Sequence, residues 1–330
     1  MALYGILTPK DGITVETDVL LFVADHPQAK DQTTFGQNIW GLKVWNGKLY
    51  AGYGDYGDNT GPISLTPLNL QTDTFAASPV HVSSTEAIET FRIIDGNLYA
   101  PATDRRTSAD YMVASVDGSG TETWSDKNPV NSTHMYDMAK IAGKLCMAGS
   151  KGSNATVFSS SDDGNTWQTS LSVPPVADFA RFYGLAKYNN KLYTEARDYS
   201  GSGRHPESWM FDGTTWSSVP VIFDGAFTDA HEFNGKLVYR NTFPHTTGTL
   251  KSYDGSTVST IAFSINDIKV VGTELFRLSS SGVVSASSDL STWRTVFAGP
   301  TNAKSFEVYN GAIYFGTTDA KIYKVITGDG

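Results

Sequence analysis

Short stretches of alternating apolar and polar residues run along the whole chain, and each is interrupted by a pair of turn-forming residues. Trp40-Gly41-Leu42-Lys43-Val44-Trp45 leads into Asn46-Gly47, and Lys48-Leu49-Tyr50-Ala51 leads out. A period of two predicts strands with one buried face, and Asn-Gly tolerates the positive φ angles of a tight hairpin. The same element returns at Asp95-Gly96, Ala142-Gly143, Asn189-Asn190, Asn234-Gly235, Val271-Gly272 and Asn310-Gly311, the Val271 copy one residue longer. Apolar positions at helical spacing are almost absent.

The hairpin recurs about every 44 residues. A second turn falls between the copies: Asp163-Gly164-Asn165-Thr166-Trp167, Asp212-Gly213-Thr214-Thr215-Trp216 and Asp254-Gly255-Ser256-Thr257-Val258. Weaker versions are Gly120 to Trp124 and Asp289 to Trp293. Two hairpins per period make four strands. Such a unit cannot bury both its faces alone, so copies must stack. The expected fold is all-β: one seven-bladed β-propeller of four-stranded antiparallel blades. Blade cores are expected near 38–80, 86–130, 134–174, 180–222, 227–263, 265–298 and 303–330. A strand from 1–25 should close the ring, with Tyr4–Thr8, Ile13–Asp18 and Val19–Val23 as its alternatives.

Ser160-Ser161-Asp162-Asp163-Gly164-Asn165-Thr166-Trp167 resembles the Asp-box of sialidase-like propellers, Ser-x-Asp-x-Gly-x-Thr-Trp. The resemblance covers one turn per blade and implies a carboxylate capping backbone N–H groups, a Trp packed between sheets, and no catalytic role for the turn. Phe91-Arg92-Ile93-Ile94 loosely resembles the arginine motif of sialidases, but Ile94 stands where that motif has proline, and sialidases have six blades.

Composition narrows the function. Charged residues are 18% of the chain and the formal charge is −9, so a nucleic-acid partner, which needs clustered Lys and Arg, is not expected. Cys146 is the single cysteine, in an apolar run, which excludes an intrachain disulfide and a cysteine zinc site. Asp55-Tyr56-Gly57-Asp58-Asn59 lacks calcium-loop spacing. No phosphate loop occurs, and neither metal nor cofactor is expected. Met1 to Lys10 lacks the pattern of a secretory signal, and Val19 to Ala24 is too short to span a bilayer. The expected protein is soluble, cytoplasmic or virion-associated.

Candidate binding residues come from the loops between the second and third strands of each blade, where extra length often carries function. These are Tyr53, Asp55 and Tyr56; Arg105, Arg106 and Tyr111; Arg197, Tyr199, Arg204 and His205; Arg240 and His245. Segments entering the inner strands add Trp40, Glu89, Tyr136, Asp137, Tyr183 and Asp229. Rings that stack on sugars, among fixed donors and acceptors, suit a glycan or a polar protein surface; solvated loops are the plain alternative. Asp137 and Asp229 fall at equivalent positions and could act as acid and base at the channel mouth. The favoured function is recognition without catalysis, of a glycan or receptor, with a phage virion or tail as the setting considered. The alternatives are a carbohydrate-active enzyme (glycosidase or polysaccharide lyase, with His134 among its candidates) and a structural assembly module with protein partners.

Overall fold

A computed structural model describes residues 18–105, 109–176, 178–199, 205, 207–243 and 245–326. Strands dominate; among the described residues the only helical element is the 3-10 turn Ala29–Asp31. No helix among them is long and apolar enough to cross a membrane.

Antiparallel meanders follow one another along the chain. Gly41–Trp45, Lys48–Gly52, Leu68–Asn69 and Thr74–Phe75 form the first. Arg92–Ile94, Asn97–Pro101, Tyr111–Val116 and Glu122–Lys127 form the second, and His134–Ile141, Lys144–Lys151, Asn154–Ser160 and Gln168–Val173 the third. In the fourth, Ala180–Phe182 and Ala186–Tyr188 both pair with Lys191–Asp198, followed by Ser208–Phe211 and Trp216–Val219. The last contains Ala303–Tyr309, Ala312–Thr317 and Lys321–Ile326, with Val19–Asp25 on its outer edge. Val19 lies opposite Ile326, and Asp25 opposite Lys321. Of the three candidate N-terminal strands, Val19–Val23 is the one in this pairing. Tyr4–Thr8 and all but the end of Ile13–Asp18 lie outside the described residues.

The hairpins have the backbone their sequences imply. Asn46 and Gly47 have φ of 48° and 70°, and Asp95 and Gly96 have 50° and 80°. Even Ala142, at φ 47°, holds this conformation, beside Gly143 at 74°. The longer Val271 copy differs: Val271 opposes Glu274 across a turn whose first central residue is Gly272, φ 58°, as a type II′ turn requires.

Two departures from expectation stand out. The boundary at 263/265 is not a break, because Val258–Val271 is one strand shared by a seven-stranded sheet running from Thr228 to Ala298. The chain turns within it at Ser264, φ 58°, where the pairing register shifts on both sides. The first meander also has very short outer strands, and the residues around it form two ribbons. Ile63–Leu65 pairs with His81–Ser83, and Thr85–Ala87 with Thr103–Arg105.

Apolar side chains fill the spaces between neighbouring sheets. Ile94, Tyr99 and Tyr111 of the second meet Met138, Leu145 and Phe158 of the third. Leu278 and Val284 meet Phe306 and Phe315. Tyr314 and Ile322 of the last sheet share a cluster with Leu42 and Leu49 of the first. Each fully buried Leu or Phe contributes roughly 1.5–3 kcal/mol, so the sheets stabilise one another rather than themselves. Cys146 lies inside this core, fully buried, and burial pushes its thiol up to about 12; it has no access to solvent chemistry.

The outer turns are held by carboxylates. Asp162 accepts bonds from Thr166 N (2.8 Å), Thr166 Oγ1 (2.7 Å) and Ser160 Oγ (2.7 Å), while Trp167 Nε1 donates to Gly164 O at 3.0 Å. Asp289 repeats the arrangement with Ser287, Thr292 and Trp293. Asp212 and Asp254 cap their turns the same way. In the third meander the capping residue is therefore Asp162; its neighbour Asp163 points outward to Lys140.

Candidate functional site

The first strands of several sheets line a central channel, with Lys43, Arg92, Asp229, His231 and Lys269 on its wall, and segments entering those strands meet at one end of it. There a pocket of about 180 Å³ is lined by Tyr56, Glu89, Thr103, Tyr136, Arg181, Tyr183, Tyr199, Phe243 and His245. These side chains come from the first four meanders and the start of the long sheet. The far half of that long sheet and the last sheet add nothing to the lining, and they have the short loops 279–282 and 317–320.

Aromatic rings make the walls. Tyr136 and Tyr183 have centroids 4.3 Å apart, Phe243 meets Tyr183 edge-on at 4.9 Å, and Phe243 stacks on His245 at 5.7 Å. Phe35 packs beneath against Trp40, Tyr56 and His245. Tyr183 and Tyr199 join their hydroxyls in a hydrogen bond. Burial raises the pKa of Tyr56, Tyr136 and Tyr183, with neighbouring acidic groups adding to it, so all three hydroxyls stay protonated.

Two histidines are held by carboxylates. His245 Nδ1 lies 2.9 Å from Glu89 Oε1, and its Nε2 lies 3.1 Å from the Tyr56 hydroxyl. A carboxylate only accepts, so Nδ1 carries a proton toward Glu89, and Nε2 is left facing the Tyr56 hydroxyl. His134 Nδ1 is 2.6 Å from Asp104 Oδ1, and its Nε2 is 2.8 Å from Arg181 Nη2. A guanidinium only donates, which fixes the tautomer of His134 with its proton toward Asp104. Arg181 Nη1 also donates to Tyr136 at 2.9 Å. Its guanidinium lies 4.8 Å from the Phe179 ring and 5.4 Å from Tyr199. Arg197 lies over Tyr199 and Phe243, at 5.9 Å and 5.4 Å.

Of the residues expected from sequence, Tyr56, Tyr136, Tyr183, Tyr199 and His245 line the pocket, with Arg197 beside it. Several others do not reach it. Tyr53 is 1% exposed, its hydroxyl bonded to Ser64 O at 2.9 Å and its carbonyl accepting from Ile88 N at 3.0 Å, which hold it in the core. Asp55 accepts from Gly57 N, Asp58 N and Thr33 Oγ1 and so builds its own turn. Tyr111 fills the space between the second and third meanders against Trp167. His205 packs on Trp209 at 4.7 Å, apart from the pocket. The Arg105 side chain, Arg106 and Arg204 lie outside the described residues.

Asp137, Asp229 and Arg240 belong to the channel below. Asp137 binds Arg92 through Nε at 2.8 Å and Nη2 at 3.1 Å, and accepts from Met138 N and Leu185 N. Asp267 repeats the latch with Ile268 N and Phe306 N, and pairs with Lys269 at 3.2 Å. Asp229 takes φ 51° and turns instead to Arg240 Nε at 2.8 Å. Burial alone would raise its pKa, but Arg240, Lys269 and Arg92 hold it at about 2. Burial, with the charge of Asp229, pushes Asp267 up to about 6 against the pull of Lys269. These carboxylates join neighbouring strands through arginines and backbone N–H groups, the plain role that stood beside acid and base work for Asp137 and Asp229. Arg92 is likewise a channel residue, away from the pocket. Among the described residues no three His, Cys, Asp or Glu come together as metal ligands.

Sequence reasoning missed Thr103, Arg181 and Phe243 as pocket residues, and Phe179 and Asp104 as the groups behind them. A signal existed for Arg181: it is the charged residue inside Phe179-Ala180-Arg181-Phe182-Tyr183, where a wholly apolar strand would be expected.

No protein-family model matches the chain, and no curated protein matches it. Solved structures do. A streptogramin B lyase shares 11% identity over 93% of this chain and 97% of its own, with a TM-score of 0.61. The WD40 domain of Neurospora crassa Pan2 shares 11% over 94% and 96%, at 0.62. The WD40 β-propeller domain of Doa1 shares 13% over 94% and 97%, at 0.57. At these identities the likeness is one of fold, and the fold is a β-propeller.

Proposed function

We propose that this propeller is a recognition protein that binds a glycan at the aromatic mouth of its channel. The observation that carries the reading is the pocket lined by four tyrosines, Phe243, His245 and Arg181. Their polar ends are fixed by hydrogen bonds, while Tyr199 is 37% exposed. Ring faces take the apolar side of a sugar, and fixed donors and acceptors read its hydroxyls. The volume is below the ~300–1,000 Å³ of a typical small-molecule site, so it holds one ring of a longer ligand whose remainder runs over the open side.

The chain is read as a single domain of seven four-stranded blades with Val19–Asp25 closing the ring. The recurrence of the inner hairpin, the shared core of the last and first sheets and the pairing of Val19–Asp25 with Lys321–Ile326 support this. The carboxylate-capped turns support kinship of these turns with the Asp-box.

Glycan-array binding, with reducing-end release measured on the bound glycans, tests the function. Binding without release, lost in Tyr199→Ala, is the expected result. A second reading, a proton-transferring enzyme, is favoured by one observation: the chain Tyr56–His245–Glu89 orients an imidazole as a general base would need. Release of product abolished by His245→Gln would make this reading the right one.

A further inference from the structure

We propose that the pocket selects ligands bearing a carboxylate, in sugar terms a uronate, through Arg181 and Arg197; this rests on the pocket being the binding site. Three observations point the same way. The two arginines are direct partners across an antiparallel pair, Arg181 opposite Arg197 on Ala180–Phe182 and Lys191–Asp198. Like charges placed opposite each other destabilise a strand pair, so the arrangement works against the local fold unless an anion bridges it.

Neither guanidinium has a carboxylate partner among the described residues. Arg181 donates to a tyrosine hydroxyl and an imidazole, and reaches Asp104 only through His134. The Nε atoms of both arginines are buried without a hydrogen-bond partner. Buried donors are normally satisfied, and each exception calls for an explanation. The channel arginines satisfy the rule: Arg92 has Asp137, and Arg240 has Asp229.

The guanidinium faces are covered by rings, Arg181 by Phe179 and Tyr199, Arg197 by Tyr199 and Phe243. Stacked faces leave the edges for hydrogen bonding, and a guanidinium edge matches a carboxylate with two parallel N–H···O bonds. Tyr199 is stacked on Phe179 and lies beside both arginines, so a sugar held against its exposed edge would bring its carboxylate to them. Glu89, which also lines the pocket, would accept from a hydroxyl of the same ring.

The test is calorimetric titration of the intact chain with glucuronate-, galacturonate- and mannuronate-containing oligosaccharides. Each is paired with its counterpart reduced from carboxylate to primary alcohol. The expected result is at least tenfold tighter binding of one acidic form than of its reduced partner. Arg181→Gln and Arg197→Gln should each remove most of that preference, read as the ratio of acidic-form to reduced-form affinity within the same variant. Thermal melting of both variants separates this from misfolding, and either variant alone suffices if the other fails to fold. Equal affinity for acidic and reduced forms, or a preference that survives both substitutions, overturns the proposal and leaves glycan recognition standing. No binding to any acidic form also overturns it. If the neutral glycans of the array fail too, the recognition reading falls with it.

Discussion

The channel and the pocket above it both place arginines among polar partners, yet they solve the problem oppositely. In the channel each guanidinium meets a carboxylate, and Asp137 also takes the backbone N–H groups of Met138 and, from the next sheet, Leu185. On the rim, Arg181 and Arg197 meet rings, hydroxyls and an imidazole. Paired charges that also bind backbone hold strands together; cations left with aromatic partners remain open to a ligand. Position along the axis thus separates residues of one chemical type into two roles.

The comparison is most exposed at Asp137. Asp137→Ala leaves Arg92 without its partner and strips the bonds to Met138 N and Leu185 N, and should destabilise by about 3–5 kcal/mol. Chemical denaturation measures it. A loss under about 1 kcal/mol would mean the channel charges do not join the sheets. The paired change Arg92→Met with Asp137→Leu should recover part of the loss, since the orphaned charge is gone.

A smaller effect is expected at His231, on the channel wall. Burial, then Arg92, Lys269 and Lys43, hold its imidazole down at about 4, against the pull of Asp229. The unfolded chain takes up this proton first, so the stability is fully present above pH ~6.5 and falls as pH drops toward about 4. His231→Gln should flatten that slope by roughly 1 kcal/mol per pH unit. Denaturation midpoints at pH 5 and pH 7 that shift equally in both proteins would sink it.

The smallest effect on stability should come from the rim. Arg181→Gln removes two hydrogen bonds between neutral acceptors and a half-exposed cation, and should cost about 1 kcal/mol. Were it to match Asp137→Ala, Arg181 would be a structural residue like those in the channel.

Local chemistry explains which features were legible in the sequence. Asn46-Gly47 and its copies show because a two-residue turn needs particular residues at positive φ. The pocket tyrosines show because they follow or precede such turns at fixed distances. Arg181 did not, because its role depends on Arg197 opposite and on rings from other segments. Asp137 and Asp229 align in the repeat and still differ, since Asp229 adopts a left-handed backbone and turns to Arg240. Tyr53 and Tyr111 read as loop residues, yet both are buried in the core, Tyr111 as the first residue of a strand. Alignment gives a residue's place in the repeat, and only the neighbouring sheet decides its direction.

Among the described residues Val19–Asp25 has one strand partner, Lys321–Ile326. On the ribosome the first of these emerges about 300 residues before its mate. Val19, Leu20, Leu21 and Phe22 have nothing to pair with during that wait, and they stay between 37% and 53% exposed even in the finished sheet. An unpaired edge with apolar side chains is a template for other chains, so synthesis of the intervening sheets is the interval in which this segment is most open to aggregation.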